Sequence, residues 1–113
     1  MEKVTRYREI IRKLMQEHAK FFAGPSDSEV ERLVLMDEER GHYALMQWGW
    51  EDHKRVKFIN LYLRLKDGKF WIEQDLTENG IATELLEEGV PKEDIVLAFH
   101  APEMRPYTEF AAA

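Results

Sequence analysis

The chain has 113 residues, 44% of them hydrophobic, with three Trp, four Tyr, six Phe, no Cys and a formal net charge of −6. That describes one globular domain over residues 1–113 with one packed core, and it excludes disulfides, thiolate chemistry and cysteine metal sites. No apolar run approaches the ~20 residues of a membrane span and no signal-peptide pattern opens the sequence, so a cytoplasmic protein is expected, and its excess of carboxylates opposes binding to a phosphate backbone.

Val4, Tyr7, Ile10, Ile11, Leu14, Met15, His18, Phe21 and Phe22 recur at helical spacing and predict an amphipathic helix over 3–22. Its other side is basic: Lys3, Arg6, Arg8, Arg12, Lys13 and Lys20 stand against Glu9 and Glu17. A nucleic-acid helix has that charge, but so does an ordinary solvated one. No aromatic is interleaved with the basic residues and no second helix completes a helix-turn-helix, so direct DNA contact is disfavoured. Gly24-Pro25-Ser26-Asp27-Ser28 reads as a loop.

Four strands follow, over 30–36, 43–50, 55–65 and 70–75. Asp67-Gly68 is a preferred two-residue hairpin turn. It pairs Leu65 with Phe70, Leu63 with Ile72, Leu61 with Gln74, Arg64 with Trp71 and Tyr62 with Glu73. A loop at Glu51–Lys54 pairs Met46 with Ile59 and Ala44 with Leu61. A loop at Glu38–Gly41 pairs Leu35 with Ala44 and Leu33 with Met46. Alternation then places Leu33, Leu35, Ala44, Met46, Ile59, Leu61, Leu63, Leu65, Phe70 and Ile72 on one face, with Trp48 and Trp50 beside them. The other face carries Val34, Met36, Leu45, Phe58, Tyr62 and Trp71, too apolar for a wet face. Val34, Met36, Phe58, Tyr62 and Trp71 are therefore the expected self-association surface, and a homodimer is the expected state.

A second helix is expected over 80–88, stopped by Gly89 and Pro91. It is strongly acidic. No Lys or Arg lies between Lys69 and Lys92, where Glu73, Asp75, Glu78, Glu84, Glu87 and Glu88 fall. Ile81, Leu85 and Leu86 supply the docking side of this helix, which leaves Glu78, Glu84, Glu87 and Glu88 facing out as a surface for a basic partner. Pro91–Asp94 could open a helical turn leading into the apolar run 95–99. The tail Pro102-Glu103-Met104-Arg105-Pro106-Tyr107-Thr108 reads as stiff and extended. Arg105 is the only basic residue after Lys92. It is expected to pair with a carboxylate of the acidic stretch or to be offered, with Tyr107, to a partner.

Catalytic signals are sparse. His18, His42, His53 and His100 show no metal-ligand spacing. Ser26 and Ser28 lie in a polar loop without a nucleophile elbow, and no Gly-rich phosphate loop is present. The chemistry that remains open is acid–base work by Glu73, Asp75 and His100, as in a small hydrolase.

Several segments carry a family likeness: Lys66-Asp67-Gly68-Lys69-Phe70-Trp71-Ile72-Glu73, Gly80-Ile81-Ala82, Gly89-Val90-Pro91 through Asp94-Ile95-Val96-Leu97, and Pro102 through Phe110-Ala111-Ala112-Ala113. With the Tyr7–Ile11 helix, Gly41-His42-Tyr43 and Gly49-Trp50, the chain resembles the XisI family nearly end to end. That family is named for the excision controlling factor of a cyanobacterial nitrogen-fixation DNA element. The positions matching its pattern are Gly68, Trp71, Gly80, Ile81, Ala82, Leu85, Gly89, Pro91, Asp94, Ile95, Pro102, Arg105, Thr108 and Phe110.

The resemblance implies an α+β fold: N-terminal helix, four-stranded antiparallel meander, second short helix and Pro-containing tail. It implies an accessory controlling factor for programmed DNA excision that acts with a companion nuclease-like protein, XisH, and a site-specific recombinase. It implies no catalytic residue, metal or cofactor. The alternatives are the hydrolase-type enzyme and a DNA-binding module built on the basic helix.

Overall fold

The structure, a computed structural model, describes residues 2–21 and 29–113. The expected loop Gly24–Ser28, with Phe22, lies outside the described residues. Helix α1 spans Lys3–Phe21. Its apolar stripe Tyr7, Ile10, Ile11, Leu14 and Met15 is buried, as the spacing requires. Strands β1 (Glu29–Asp37), β2 (His42–Glu51), β3 (Lys54–Lys66) and β4 (Lys69–Asp75) form an antiparallel meander. Helix α2 (Ile81–Glu87) and a 3₁₀ turn at Lys92–Asp94 follow. The chain then adds β5 (Ile95–Val96), parallel to β4. The sheet order is β1-β2-β3-β4-β5.

The expected four-stranded antiparallel sheet is thus a five-stranded mixed one. Two residues are too short a run to read as a strand, and a parallel partner reaches its neighbour only through a crossover, here α2. The tail is likewise not extended. Pro102–Tyr107 forms a 3₁₀ turn, because the proline φ near −65° suits 3₁₀ geometry as well as extended chain. Beyond it, Ala111 N–H donates to the Ile95 carbonyl at 2.9 Å and Ala111 bridges to Val96.

The hairpin turns follow the sequence closely. Asp67 and Gly68 have φ of 55° and 72°, the mirror-image turn that suits strand twist. Asp52 and His53, at 50° and 65°, do the same between Glu51 and Lys54, which pair directly. Gly41, at φ +75°, has no room for a side chain: a Cβ there would lie 2.3 Å from the Leu65 carbonyl oxygen.

The faces differ from expectation because of two extra residues. Met46 pairs with Ile59, but Leu45 pairs with Leu61, so Asn60 is inserted in β3. Leu63 pairs with Ile72, but Tyr62 pairs with Gln74, so Glu73 is inserted in β4. A bulge of one residue reverses alternation beyond it. Ala44 therefore faces Tyr62, not Leu61, and Leu61 faces Asp75, not Gln74. Asn60 is 8% exposed. Its carbonyl accepts from Leu76 N–H at 2.8 Å, and the Gln74 amide donates to the Ile59 carbonyl, so the bulge is hydrogen-bonded on its β4 side.

The side of the sheet under the helices carries Tyr43, Leu45, Leu61, Leu63, Phe70 and Ile72, all buried, with Ile81, Leu85, Val90 and Ile95 completing one core. Val34, Met36 and Leu65 pack against it. Each such aliphatic side chain contributes about 1.5–3 kcal/mol on burial. Leu33 and Leu35, expected inside, are 47% and 46% exposed on the opposite, outer side.

Helix α1 is locked to the far edge of the sheet by a polar tie. The buried Tyr7 hydroxyl donates to Asp94 Oδ2 at 2.6 Å, and Lys3 Nζ lies 2.9 Å from the same oxygen. Burial and then the hydrogen bond to Asp94 push the Tyr7 pKa up to about 12. Burial alone would raise the Asp94 carboxyl, but hydrogen bonds from Tyr7 and Lys3 and the Lys3 charge outweigh it and hold it below its ordinary value.

A Tyr pKa raised by folding adds stability that is whole below pH 10 and is lost as pH rises toward about 12. At about 1.4 kcal/mol per unit, two units amount to about 3 kcal/mol. Tyr7→Phe should cost about 1–2 kcal/mol near neutral pH. Urea melts across pH should show its stability falling less steeply than the parent's between pH 10 and 12. A parallel fall in both proteins would refute the tie.

Candidate functional site

Helix α2 begins where Asp75, at the end of β4, turns its carboxylate onto the backbone ahead. Asp75 accepts from Thr77 N–H at 2.8 Å, from the Thr77 hydroxyl, and from Ile81 N–H at 2.7 Å. The Ile81 amide is one of the unpaired donors of a helix start, so Asp75 is a structural group. Glu73 lies 3.6 Å from Arg64 on the outer face. His100 is exposed, with its ring 4.6 Å from that of Phe99. The three residues of the acid–base reading are therefore each engaged separately.

The expected outward row of glutamates divides in two. Glu84 accepts from His18 Nε2 at 2.7 Å and Glu88 from Lys13 Nζ at 2.7 Å. Both are half-buried between the helices, while Glu78 and Glu87 are exposed. Like charges at i and i+4 on α2 are offset by the chain's own basic helix. Much of the positive charge on α1 is spent the same way: Arg12 forks onto Glu38, and Lys3 is held by Asp94.

Of the two expectations for Arg105, a carboxylate of the acidic stretch or a partner, the first is not met: its guanidinium binds backbone instead. Its Nε donates to the His100 carbonyl at 3.1 Å and its NH2 to the Ala98 carbonyl at 3.2 Å, with the guanidinium 5.8 Å from the Trp71 ring centre. A planar fork can bond two carbonyls while lying near an aromatic face. The Trp71 indole donates to the Lys66 carbonyl at 3.1 Å, and Lys66 Nζ also lies over its ring. Tyr107, on the same 3₁₀ turn, is 84% exposed.

The tail thus shields β4, and among the described residues nothing covers the outer face of β1, β2 and β3. Of the residues expected to form a self-association surface, only Tyr62 lies on this open face; Trp71 is on the same side of the sheet, but on β4 beneath the tail. Val34 and Met36 sit on the helix side against the core, and Phe58 is on that side too but exposed. Leu33, Leu35, Met46 and Ile59 take their places outside. Trp48 and Trp50, expected on the core side, are outside as well, with Trp50 49% exposed beneath the Arg55 guanidinium. At one end of this face a cleft of about 320 Å³ is lined by Leu35, Asp37, Ala44, Ile59 and a hydrogen-bonded pair, His42 Nδ1 and Tyr62 Oη, 2.6 Å apart. Sequence reasoning missed this face. The available signal was Asn60, a polar residue inside the run Phe58-Ile59-Asn60-Leu61-Tyr62-Leu63.

A sheet with both helices on one side and a tail folded over its last strands is the architecture of XisI-like proteins, and the chain belongs to that family. The family model described as XisI protein matches residues 1–112. A XisI-like protein from Anabaena variabilis, solved at 1.30 Å, is 37% identical, with a TM-score of 0.91 over 97% of this chain and 99% of that one. The fdxN element excision controlling factor XisI from Anabaena variabilis is 39% identical, with a TM-score of 0.86 over 99% of this chain and all of that one. Comparison with curated proteins gives no match.

The Arg105 clamp yields a direct test. Arg105→Ala removes two hydrogen bonds and a cation–π contact and should cost about 1–3 kcal/mol. Amide exchange at 98–111 should accelerate more than in α1. Arg105→Lys should not restore protection, because an ammonium cannot span both carbonyls; full rescue by Lys would show that charge alone matters.

Proposed function

We propose that this chain is an accessory controlling factor for programmed excision of a DNA element, that it acts in the cytoplasm, and that it works by binding a companion protein and not by catalysis. One observation carries the reading: a 39% identical protein, aligned over 99% of this chain, is itself an fdxN element excision controlling factor. The companion implied by the family likeness is the nuclease-like XisH, with a site-specific recombinase as the further partner.

The charge distribution supports protein binding over DNA binding. The net charge is −6, and Lys3, Arg12 and Lys13 of α1 are already paired with carboxylates of this chain. No helix among the described residues is long and apolar enough to cross a membrane. The surface offered to the companion is the exposed part of the acidic segment, Glu78 and Glu87, with Tyr107 as an aromatic anchor on the tail; the paired Glu84 and Glu88 set its edge. Opposed charges of this kind raise association rate and specificity and fade with salt.

The experiment is co-purification with the companion, then nuclease and DNA-shift assays with each protein alone and with both. The companion's activity should change when this chain is added, and this chain alone should not shift DNA. Glu78→Lys with Glu87→Lys should fold normally and slow association roughly tenfold at low salt, with a flatter salt dependence. A shift by this chain alone, or unaltered association of the charge-reversed variant, would refute the corresponding part of the reading.

A further inference from the structure

The outer face of β1–β3 is neither randomly apolar nor randomly charged. Residues directly opposite one another across an antiparallel sheet point to the same side, and the pairing runs in rows. Glu29, Trp50 and Arg55 form one row, and Glu31, Trp48 and Lys57 the next. Leu33, Met46 and Ile59 form the third. Each charged row is acidic on β1, aromatic on β2 and basic on β3. Glu29, Glu31, Arg55 and Lys57 are all exposed, and none forms an ion pair among the described residues. Three strands about 4.8 Å apart and eight residues at about 3.3 Å each outline a face of a few hundred Å², in which Leu33, Met46, Ile59 and the two tryptophans are bordered by charge of opposite sign on β1 and β3.

We infer that this face binds a second copy of the same chain, sheet against sheet, about a two-fold axis running along β2. Such an axis lays β1 of one copy over β3 of the other and β2 over β2. Glu29 and Glu31 then face Arg55 and Lys57 of the second copy, twice over, and Leu33 faces Ile59. Trp48 and Met46 meet their own counterparts at the centre. Sheets packed face to face stand about 10 Å apart with strands about 30° from alignment, so these side chains interdigitate. A two-fold axis across the strands instead lays β1 on β1 reversed and leaves all four charges unmatched. The surface is complementary to itself under one symmetry operation, as an isologous dimer requires. This inference does not depend on the proposed function.

The test uses the purified full chain and sedimentation or light scattering, with circular dichroism as the check on folding. The parent should be dimeric at tens of micromolar. Glu29→Lys with Glu31→Lys gives four positive charges on one face, and Arg55→Glu with Lys57→Glu gives four negative ones. Each double variant should be folded and monomeric, with dimer affinity weakened at least tenfold. An equimolar mixture of the two should form a heterodimer, since every acidic position then meets a basic one, and the chain carrying all four changes should again form homodimers. A misfolded chain could not be rescued this way. A monomeric parent, double variants that stay dimeric (as pairing through the open β1 edge would allow), or a mixture that stays monomeric would each overturn the inference.

Discussion

One inserted residue decides which surface this protein shows to solvent. Without a bulge at Asn60, alternation would run unbroken from Ile59 to Leu65 and put Ile59 on the same side as Leu61 and Leu63. With it, Ile59 and everything paired beyond it, Met46 and Leu33 included, turns outward, while Leu61, Leu63 and Tyr43 stay beneath the helices. The irregular backbone is hydrogen-bonded, to Leu76 N–H and the Gln74 side chain, but Asn60, at 8% exposure, keeps its side-chain oxygen buried with no partner among the described residues, which is a cost of the bulge. The extra residue in β4, Glu73, lets that strand keep step with the altered β3. A bulge of this kind re-aims side chains as well as bending a strand. Here it lets Leu61 and Leu63 join Tyr43 and Leu45 in the core while Ile59 stays beside Met46 and Leu33 outside.

The helical layer shows a second constraint. Read alone, α1 is a basic helix and α2 an acidic one, and each invites an external partner. Side by side they satisfy one another through Lys13–Glu88 and His18–Glu84, while Arg12 and Lys3 are taken by Glu38 and Asp94. The exposed pairs among these, Lys13–Glu88 and Arg12–Glu38, add little stability, each about 0–1 kcal/mol. Lys13–Glu88 and His18–Glu84 do fix the relative placement of two helices whose apolar sides alone would tolerate sliding. The stronger tie is Tyr7 to Asp94, because it is buried and joins the first turns of the chain to the segment that feeds β5.

Local signals in the sequence were good guides wherever the physics is local. The α1 stripe, the Asp67-Gly68 turn, the strand limits and the Leu63–Ile72 and Leu33–Met46 pairings all follow from spacing and turn chemistry. The side of the sheet did not, because parity over a strand is lost at one insertion: Asn60 marks it only as a polar break in an apolar run, and Glu73 looks like an ordinary strand residue. The parallel β5 was hidden for another reason: Ile95–Val96 is defined by its neighbours β4 and Ala111, not by any pattern of its own. Arg105 illustrates the same limit at the site. A lone cation after an acidic stretch suggests a carboxylate, but the tail curls back so that the nearest acceptors are the carbonyls of Ala98 and His100.

These constraints divide a small surface into regions of distinct chemistry. The helix side is charged, with part of its charge compensated internally, by Lys3–Asp94, Arg12–Glu38, Lys13–Glu88 and His18–Glu84. The tail closes over Trp71 and holds Tyr107 outward from a clamped turn. The outer sheet is apolar, bordered by uncompensated charge of opposite sign on β1 and β3. A sheet face that must stay soluble alone is normally polar on its wet side, and the cost of exposing Leu33, Leu35 and Trp50 is about 25 cal/mol for each Å² left in water. In the inferred two-fold packing a second copy covers that face, so this cost would fall on the free monomer alone.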